Sequence, residues 1–249
     1  MDDTDREALD AIRASRHLMI LTGAGVSRES GVPTFRGKDG LWNRYDPMEL
    51  ANIEALRRDP LTVWKWYNWR RSLIHKAEPN PGHYAIADLE AKKAPGFLLV
   101  TQNVDGLHRR AGSRALVEVH GDIFREICTG CGTSREAYDV YPEDLLPPRC
   151  DACNGLMKPG VVMFGEPLPR EAMERTVAFM EIADLLLVVG TSAVVYPIAS
   201  IPFEIKGRGG RIIEVNPDET PVSPIADVVI RGPAGGVLPA LVGDLARDG

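Results

Sequence analysis

The chain has 249 residues, of which 44% are hydrophobic and 26% charged, and it carries a formal net charge of −6. Such a length and balance suit one globular domain, or a large domain with a smaller insert, rather than a disordered or fibrous chain. The acidic balance argues against general nucleic-acid binding, and no apolar run reaches the roughly 18 residues that a membrane span requires. The opening Met1-Asp2-Asp3-Thr4-Asp5 lacks the apolar core of a secretory signal, so a cytoplasmic location is expected.

Along the chain, a helical pattern over Asp2–Ser15 leads into an apolar, β-branched run at His17–Leu21. A glycine-rich stretch, 23–37, follows it directly. Residues 38–81 contain no strand pattern but hold a Trp-rich amphipathic segment, Leu61–Lys76. A helix is expected over His83–Lys92, then strands at Phe97–Thr101 and Leu116–Val119. The stretch Glu126–Met157 breaks the rhythm with four cysteines and three prolines. After it come a helix at Arg170–Ile182, a strand at Leu185–Val189, a helix at Pro197–Lys206, strands at Arg211–Val215 and Asp227–Ile230, and a closing helix at Gly236–Ala246. The six runs are continuously apolar instead of alternating, as strands covered on both faces are. Strands alternating with helices predict a doubly wound, mostly parallel α/β sheet. The expected division is a nucleotide-binding domain from 1–37, 82–125 and 158–249, with insertions 38–81 and 126–157 forming a small lobe.

Cys128-Thr-Gly-Cys131 and Cys150-Asp-Ala-Cys153 form two CxxC pairs with 18 residues between them. In a reducing compartment two such knuckles suit tetrahedral zinc, and four thiolates leave no coordination position for catalysis. The expected ion is therefore structural. A redox CxxC is the alternative, but it is normally a single pair before a helix.

Gly23-Ala24-Gly25 after a strand is where backbone N–H groups can meet a pyrophosphate. The third glycine of a dehydrogenase fingerprint is absent, Arg28 standing there, and no strand ends in an acidic residue about 20 positions on. A hydride-transferring enzyme is thus disfavoured, while a dinucleotide ligand stays open.

The stretch Gly23-Ala-Gly-Val-Ser-Arg-Glu-Ser-Gly-Val-Pro-Thr-Phe-Arg-Gly37 resembles the GAGxSxxSGIPxFRG loop of the sirtuins, with Val32 for isoleucine. Thr101-Gln-Asn-Val-Asp-Gly-Leu-His108 is similar to their TQNIDxLH segment. Val119-His120-Gly121, Gly190-Thr191-Ser192 and Glu214-Val-Asn-Pro217 follow in the family's order, with the cysteine pairs between the His-Gly and GTS segments. The resemblance spans nearly the whole chain. It implies a Rossmann-like NAD-binding domain with a small zinc-binding, helical lobe, and NAD-dependent removal of acyl groups from lysine in proteins or peptides. The implied products are nicotinamide, 2′-O-acyl-ADP-ribose and free lysine. Mono-ADP-ribosyl transfer to protein and a non-enzymatic, NAD-sensing zinc-ribbon module remain alternatives.

By the same resemblance, His120 is the general base and Asn103 positions the reactive ribose and a water. Gly23, Ala24, Gly25, Ser27, Phe35, Arg36, Gln102, Asp105, Gly190, Thr191, Ser192, Asn216 and backbone near Ala234 hold NAD, with Phe35 shielding the reacting carbon. Val162, Phe164 and Gly165 on one edge and Val195 on the other pair with the acylated peptide as an added strand. The remaining histidines, His17, His75, His83 and His108, are expected to be structural. Tyr67 and Arg70, spaced i, i+3, share one helix face and can converge on a carboxylate. They resemble the YxxR signature of class III sirtuins, which prefer succinyl- and malonyl-lysine, and Thr34 points to the same branch. The competing reading packs Trp64, Trp66 and Trp69 inside and leaves Arg70 and Arg71 in solvent.

Overall fold

The computed structural model describes residues 3–36 and 40–245. The expected helix start at Asp2, the loop end at Gly37 and the helix end at Ala246 lie outside the described residues. In chain order the elements are α1 (Asp3–Ala14), β1 (Leu18–Thr22), α2 (Pro47–Leu50), α3 (Ile53–Arg58), α4 (Pro60–Ile74), α5 (Pro81–Lys93), β2 (Phe97–Thr101), α6 (Leu107–Arg110), β3 (Leu116–Glu118), β4 (Gly121–Cys128), β5 (Ser134–Glu136), β6 (Met157–Val161), α7 (Arg170–Met180), β7 (Leu185–Val189), α8 (Ile201–Gly207), β8 (Arg211–Val215), β9 (Val228–Ile230) and α9 (Ala234–Leu245).

The six strands expected from the apolar runs form one parallel sheet of order β3-β2-β1-β7-β8-β9. Alternation along β1 explains its two covers. Leu18 and Ile20 point to one face, where α1, α5 and α9 supply Ile12, Ile86 and Leu238. Met19 and Leu21 point to the other, where Ile201, Ile205 and Met180 of α8 and α7 close over them. Both faces are buried, which is why the strand sequences show no polar alternation. The chain leaves β1 in one direction across the sheet through β2 and β3, and crosses back at β7 to continue the other way. The C-terminal ends of β1 and β7 therefore flank the point where strand order reverses, the usual ligand crevice of such sheets.

A second, three-stranded antiparallel sheet, β5-β4-β6, carries the cysteines and reaches beyond 126–157 by drawing in Gly121–Arg125 and Lys158–Val161. Its strands were not foreseen, because β4 mixes charges into its run and β6 contains Pro159 and Gly160. The Trp-rich segment is α4, with Asp59 accepting from the amide of Thr62 at its start and Pro60 in the first turn. It packs with α3 and the cysteine sheet around Val63, Trp64, Ile123 and Met157. The reading that left Arg70 and Arg71 in solvent is corrected: both are buried, and it is Trp69 that is more than one-third exposed. The exposed stripe of α4 runs through Leu61, Lys65 and Trp69, and both arginines lie off it. No helix among the described residues is long and apolar enough to cross a membrane.

Candidate functional site

At the switch point the loops after β1 and β7 touch backbone to backbone. A Cβ on Gly25 would lie 2.6 Å from the carbonyl oxygen of Gly190, and one on Gly23 would lie 2.7 Å from Thr191. The Gly25 amide donates to that same Gly190 carbonyl at 2.7 Å. Only glycine permits this approach, so the glycines build the crevice before any ligand arrives. Ala24 is half-buried and Ser192 exposed beside it, while Arg36 is exposed at the end of the loop.

Ser27, fully buried, is the hub of the floor. Its hydroxyl donates to Asp105 Oδ2 at 2.7 Å and accepts from Asn103 Nδ2 at 3.1 Å. Asp105 Oδ1 takes the amide of Leu107 at 3.0 Å. Burial pushes the Asp105 carboxyl up, opposed by these donors. Asn103 and Asp105 were expected in the site; their shared partner Ser27 links the TQNVD segment to the glycine loop.

His83 joins them, although it was expected to be only structural. The Asn80 amide donates to His83 Nδ1 at 3.3 Å, so the ring proton sits on Nε2, which faces the Ser27 hydroxyl at 3.4 Å. Burial brings this imidazole down to about 4, so it is neutral near pH 7. Its neighbour His108 packs against it at a tilt of 57° with ring centroids 4.8 Å apart and reaches Thr22 Oγ1 at 3.0 Å. The capping box formed by Asn80 and His83 at the start of α5 was the available local signal. Contact with a serine 56 residues earlier in the chain leaves no such mark.

His120 lies between the end of β3 and the start of β4, at the junction of the two sheets. Its Nδ1 is 3.1 Å from the carbonyl oxygen of Gln102. A carbonyl only accepts, so Nδ1 carries the proton and Nε2 keeps a lone pair. Burial lowers the imidazole below its ordinary value, against the Gln102 carbonyl, and this keeps the ring neutral and able to accept a proton. Gln102 in turn donates to Thr191 Oγ1 at 2.9 Å, and Asn216 Nδ2 donates to the Thr191 carbonyl at 2.9 Å. Hydrogen bonds thus connect His120, Gln102, Thr191 and Asn216 across the ends of β3, β2, β7 and β8. Ala234, buried at the start of α9, is the neighbour of Gly235, whose amide donates to Glu29 of the glycine loop at 2.7 Å.

On the peptide side, the Val162 amide donates to the His120 carbonyl at 2.8 Å. Phe164 departs from expectation: its N–H and C=O are both taken, by Ala51 and Ile53, in a parallel bridge to residue 52. It can therefore offer its half-exposed ring but not its backbone. Among the described residues the amides of Gly165 and Val195 donate to nothing, as an edge awaiting a strand requires.

Tyr67 and Arg70 are buried side by side on α4. The guanidinium lies 4.5 Å from the Phe35 ring centroid and 5.2 Å from that of Trp66. Among the described residues it makes no ion pair, and burial lowers its pKa. Burial likewise pushes the Tyr67 phenol up.

The four cysteines are free thiols whose Sγ atoms lie within 4.8 Å of one another. The amides of Gly130 and Cys131 point at Cys128 Sγ at 3.3 and 3.4 Å, and Thr133 lowers the Cys131 thiol to about 6. Four converging sulfurs with amide support fit one tetrahedral zinc.

Residues 23–197 match the Sir2 family. The chain belongs to that family. It is 53% identical over 242 residues to the NAD-dependent protein deacylase 2 of Pyrobaculum aerophilum, covering 96% of this chain and 94% of that one. Among solved structures, a Sir2 homolog–NAD complex superposes with a TM-score of 0.91 at 51% identity, covering 98% of this chain and 94% of its own. A Sir2–p53 peptide–NAD+ structure superposes with a TM-score of 0.86 at 32% identity, covering 96% and 97%. The sirtuin resemblance of the five motifs is thereby established for the whole chain; neither these similarities nor the motifs distinguish acyl classes.

Proposed function

We propose that this Sir2-family enzyme is an NAD-dependent protein-lysine deacylase, and that Tyr67 and Arg70 extend its range from acetyl-lysine to succinyl- and malonyl-lysine. The observation that carries the catalytic reading is the neutral His120, its Nδ1–H fixed by the Gln102 carbonyl and its Nε2 free, hydrogen-bonded through Gln102 to a glycine-built crevice.

NAD would supply a ribose carbon from which nicotinamide departs and the hydroxyls that receive the acyl group. The glycine loop and Gly190–Ser192 would hold its phosphates, Asn216 and the start of α9 its adenosine side, and Asn103 and Asp105 the nicotinamide side. Ser27 and His83 keep Asn103 and Asp105 in place, since each side chain already has its floor partner. Phe35 excludes water from the reacting carbon. His120 Nε2 accepts a ribose hydroxyl proton and returns it to the departing amine. Cys128, Cys131, Cys150 and Cys153 would hold one structural zinc that braces β4, β5 and β6.

The buried, ion-pair-free guanidinium supports the acidic-acyl reading. Asp105 is the carboxylate that favours this cation, but its oxygens are taken by Ser27 and the Leu107 amide. A buried cation without a close ion pair is costly unless a ligand supplies one. A terminal carboxylate on the acyl chain, received by Arg70 with the Tyr67 hydroxyl, does so.

Mass spectrometry of acetyl-, succinyl- and malonyl-lysine peptides incubated with and without NAD tests the proposal. Expected are free lysine and 2′-O-acyl-ADP-ribose in all three reactions, only when NAD is present. ADP-ribosylated peptide with the acyl group still attached would replace deacylation by ADP-ribosyl transfer.

A further inference from the structure

Helix α4 presents two working faces. At 100° per residue, Trp64, Asn68 and Arg71 fall on one stripe, and Tyr67 and Arg70 on another about 100° around the axis. The first stripe is bound to the cysteine module at every position. Trp64 Nε1 donates to the Met157 carbonyl at 2.8 Å. Asn68 and Tyr141 clasp each other, Nδ2 to carbonyl and amide to Oδ1, both at 2.8 Å.

Arg71 makes the strongest of these links. Fully buried, it donates through Nε to the Ile123 carbonyl and through Nη1 to Glu126 Oε1, both at 2.8 Å. Glu126 is also fully buried and lies on β4, two residues before Cys128. Its second oxygen receives Arg135 Nε and the Tyr141 hydroxyl, each at 3.0 Å. Its three contacts therefore tie one carboxylate to both the helix and the cysteine sheet.

We propose that Arg71 and Glu126 are positioning residues for acyl selection: the cysteine module sets the rotation of α4 and thereby where Arg70 meets an acyl carboxylate. This rests on the acyl-selecting reading of Tyr67 and Arg70. Two-point binding of a planar guanidinium to a carboxylate tolerates little displacement. Turning a helix by about 10° moves a group roughly 6 Å from its axis by about 1 Å. Acetyl-lysine has no charge for Arg70 to receive, and the edges expected to pair with its peptide backbone, Val162 and Gly165 on one side and Val195 on the other, lie outside α4. The two substrates should therefore respond differently to a loosened helix.

The test replaces the ion pair by apolar side chains of similar length, Arg71→Met with Glu126→Leu, which avoids stranding one buried charge. Thermal unfolding, metal content, kcat, KM and peptide affinity are measured with acetyl- and succinyl-lysine peptides. Expected are wild-type metal content, an acetyl kcat/KM within about twofold, and a succinyl-to-acetyl ratio at least about fivefold lower, carried mainly by KM and peptide affinity. Tyr141→Phe, which removes one hydroxyl from Glu126 and no charge, should lower the ratio by about twofold, and it carries the test should the double variant not fold. An unchanged ratio in a folded variant, or parallel loss on both substrates, overturns the proposal. Arg70→Met separates the two ideas: if it lowers the ratio while the other variants do not, the positioning role alone fails; if it does not, the acyl-selecting reading fails first.

Discussion

Replacing Arg70 by Met should make the protein more stable and, for one class of substrate, much less active. In the ligand-free fold the guanidinium is buried, and its lowered pKa means the surroundings disfavour the cation on balance. Desolvation costs several kcal/mol, and the Phe35 and Trp66 rings offset about 0.5–2 kcal/mol each. Methionine fills a similar volume without the charge, so a net gain of about 1 kcal/mol is expected, or roughly 2–4 °C in Tm. A charge-assisted contact to a buried carboxylate contributes about 1.5–3 kcal/mol, so kcat/KM on succinyl-lysine should fall by about 10- to 150-fold. Acetyl-lysine should change by less than about threefold. Steady-state kinetics on matched peptides together with calorimetric unfolding measure both halves. Equal losses on the two substrates, or a lower Tm with selectivity intact, would refute the argument that Arg70 is a cation kept for its ligand.

Three further outcomes follow from the site. His120→Tyr should keep metal content and Tm near wild type while lowering deacylation by about 10²- to 10⁴-fold, and undiminished turnover would remove His120 from the mechanism. His83 titrates at about 4 in the fold against an ordinary 6.5, so the unfolded chain takes up its proton first. Its contribution is complete above about pH 6.5 and is lost as pH falls toward 4, amounting to about 2 kcal/mol between pH 7.5 and pH 5. Urea unfolding at those two pH values should show a loss smaller by that amount in His83→Gln, and identical losses would mean that His83 is not held neutral. Cys150→Ser should lower the metal content from about one ion per chain and expose 129–156 to proteolysis; full metal retention would show that this thiol is not a ligand.

The six strands of the large sheet were legible within one residue at either end, because burial on both faces writes a continuous apolar run into local sequence. The cysteine spacing and the glycine turns are equally local, and they mark the crevice and the cysteine cluster in the sequence itself. The three short strands around the cysteines were not legible, since β4 and β6 keep charges, proline and glycine inside their spans and are held by pairing with each other. Nor could Phe164 be seen to spend its backbone on Ala51 and Ile53, because that bridge joins segments more than 100 residues apart.

Local sequence thus determined which residue types could do the chemistry, and tertiary structure decided which of them meet. His83 and Arg71 show the difference. In sequence, one is a histidine near a helix start and the other a basic residue beside Arg70. The fold brings the first against Ser27 and buries the second opposite Glu126, 55 residues later. A buried polar group must find its partner wherever the chain delivers one, and that delivery depends on strand order and helix rotation, which no local pattern records.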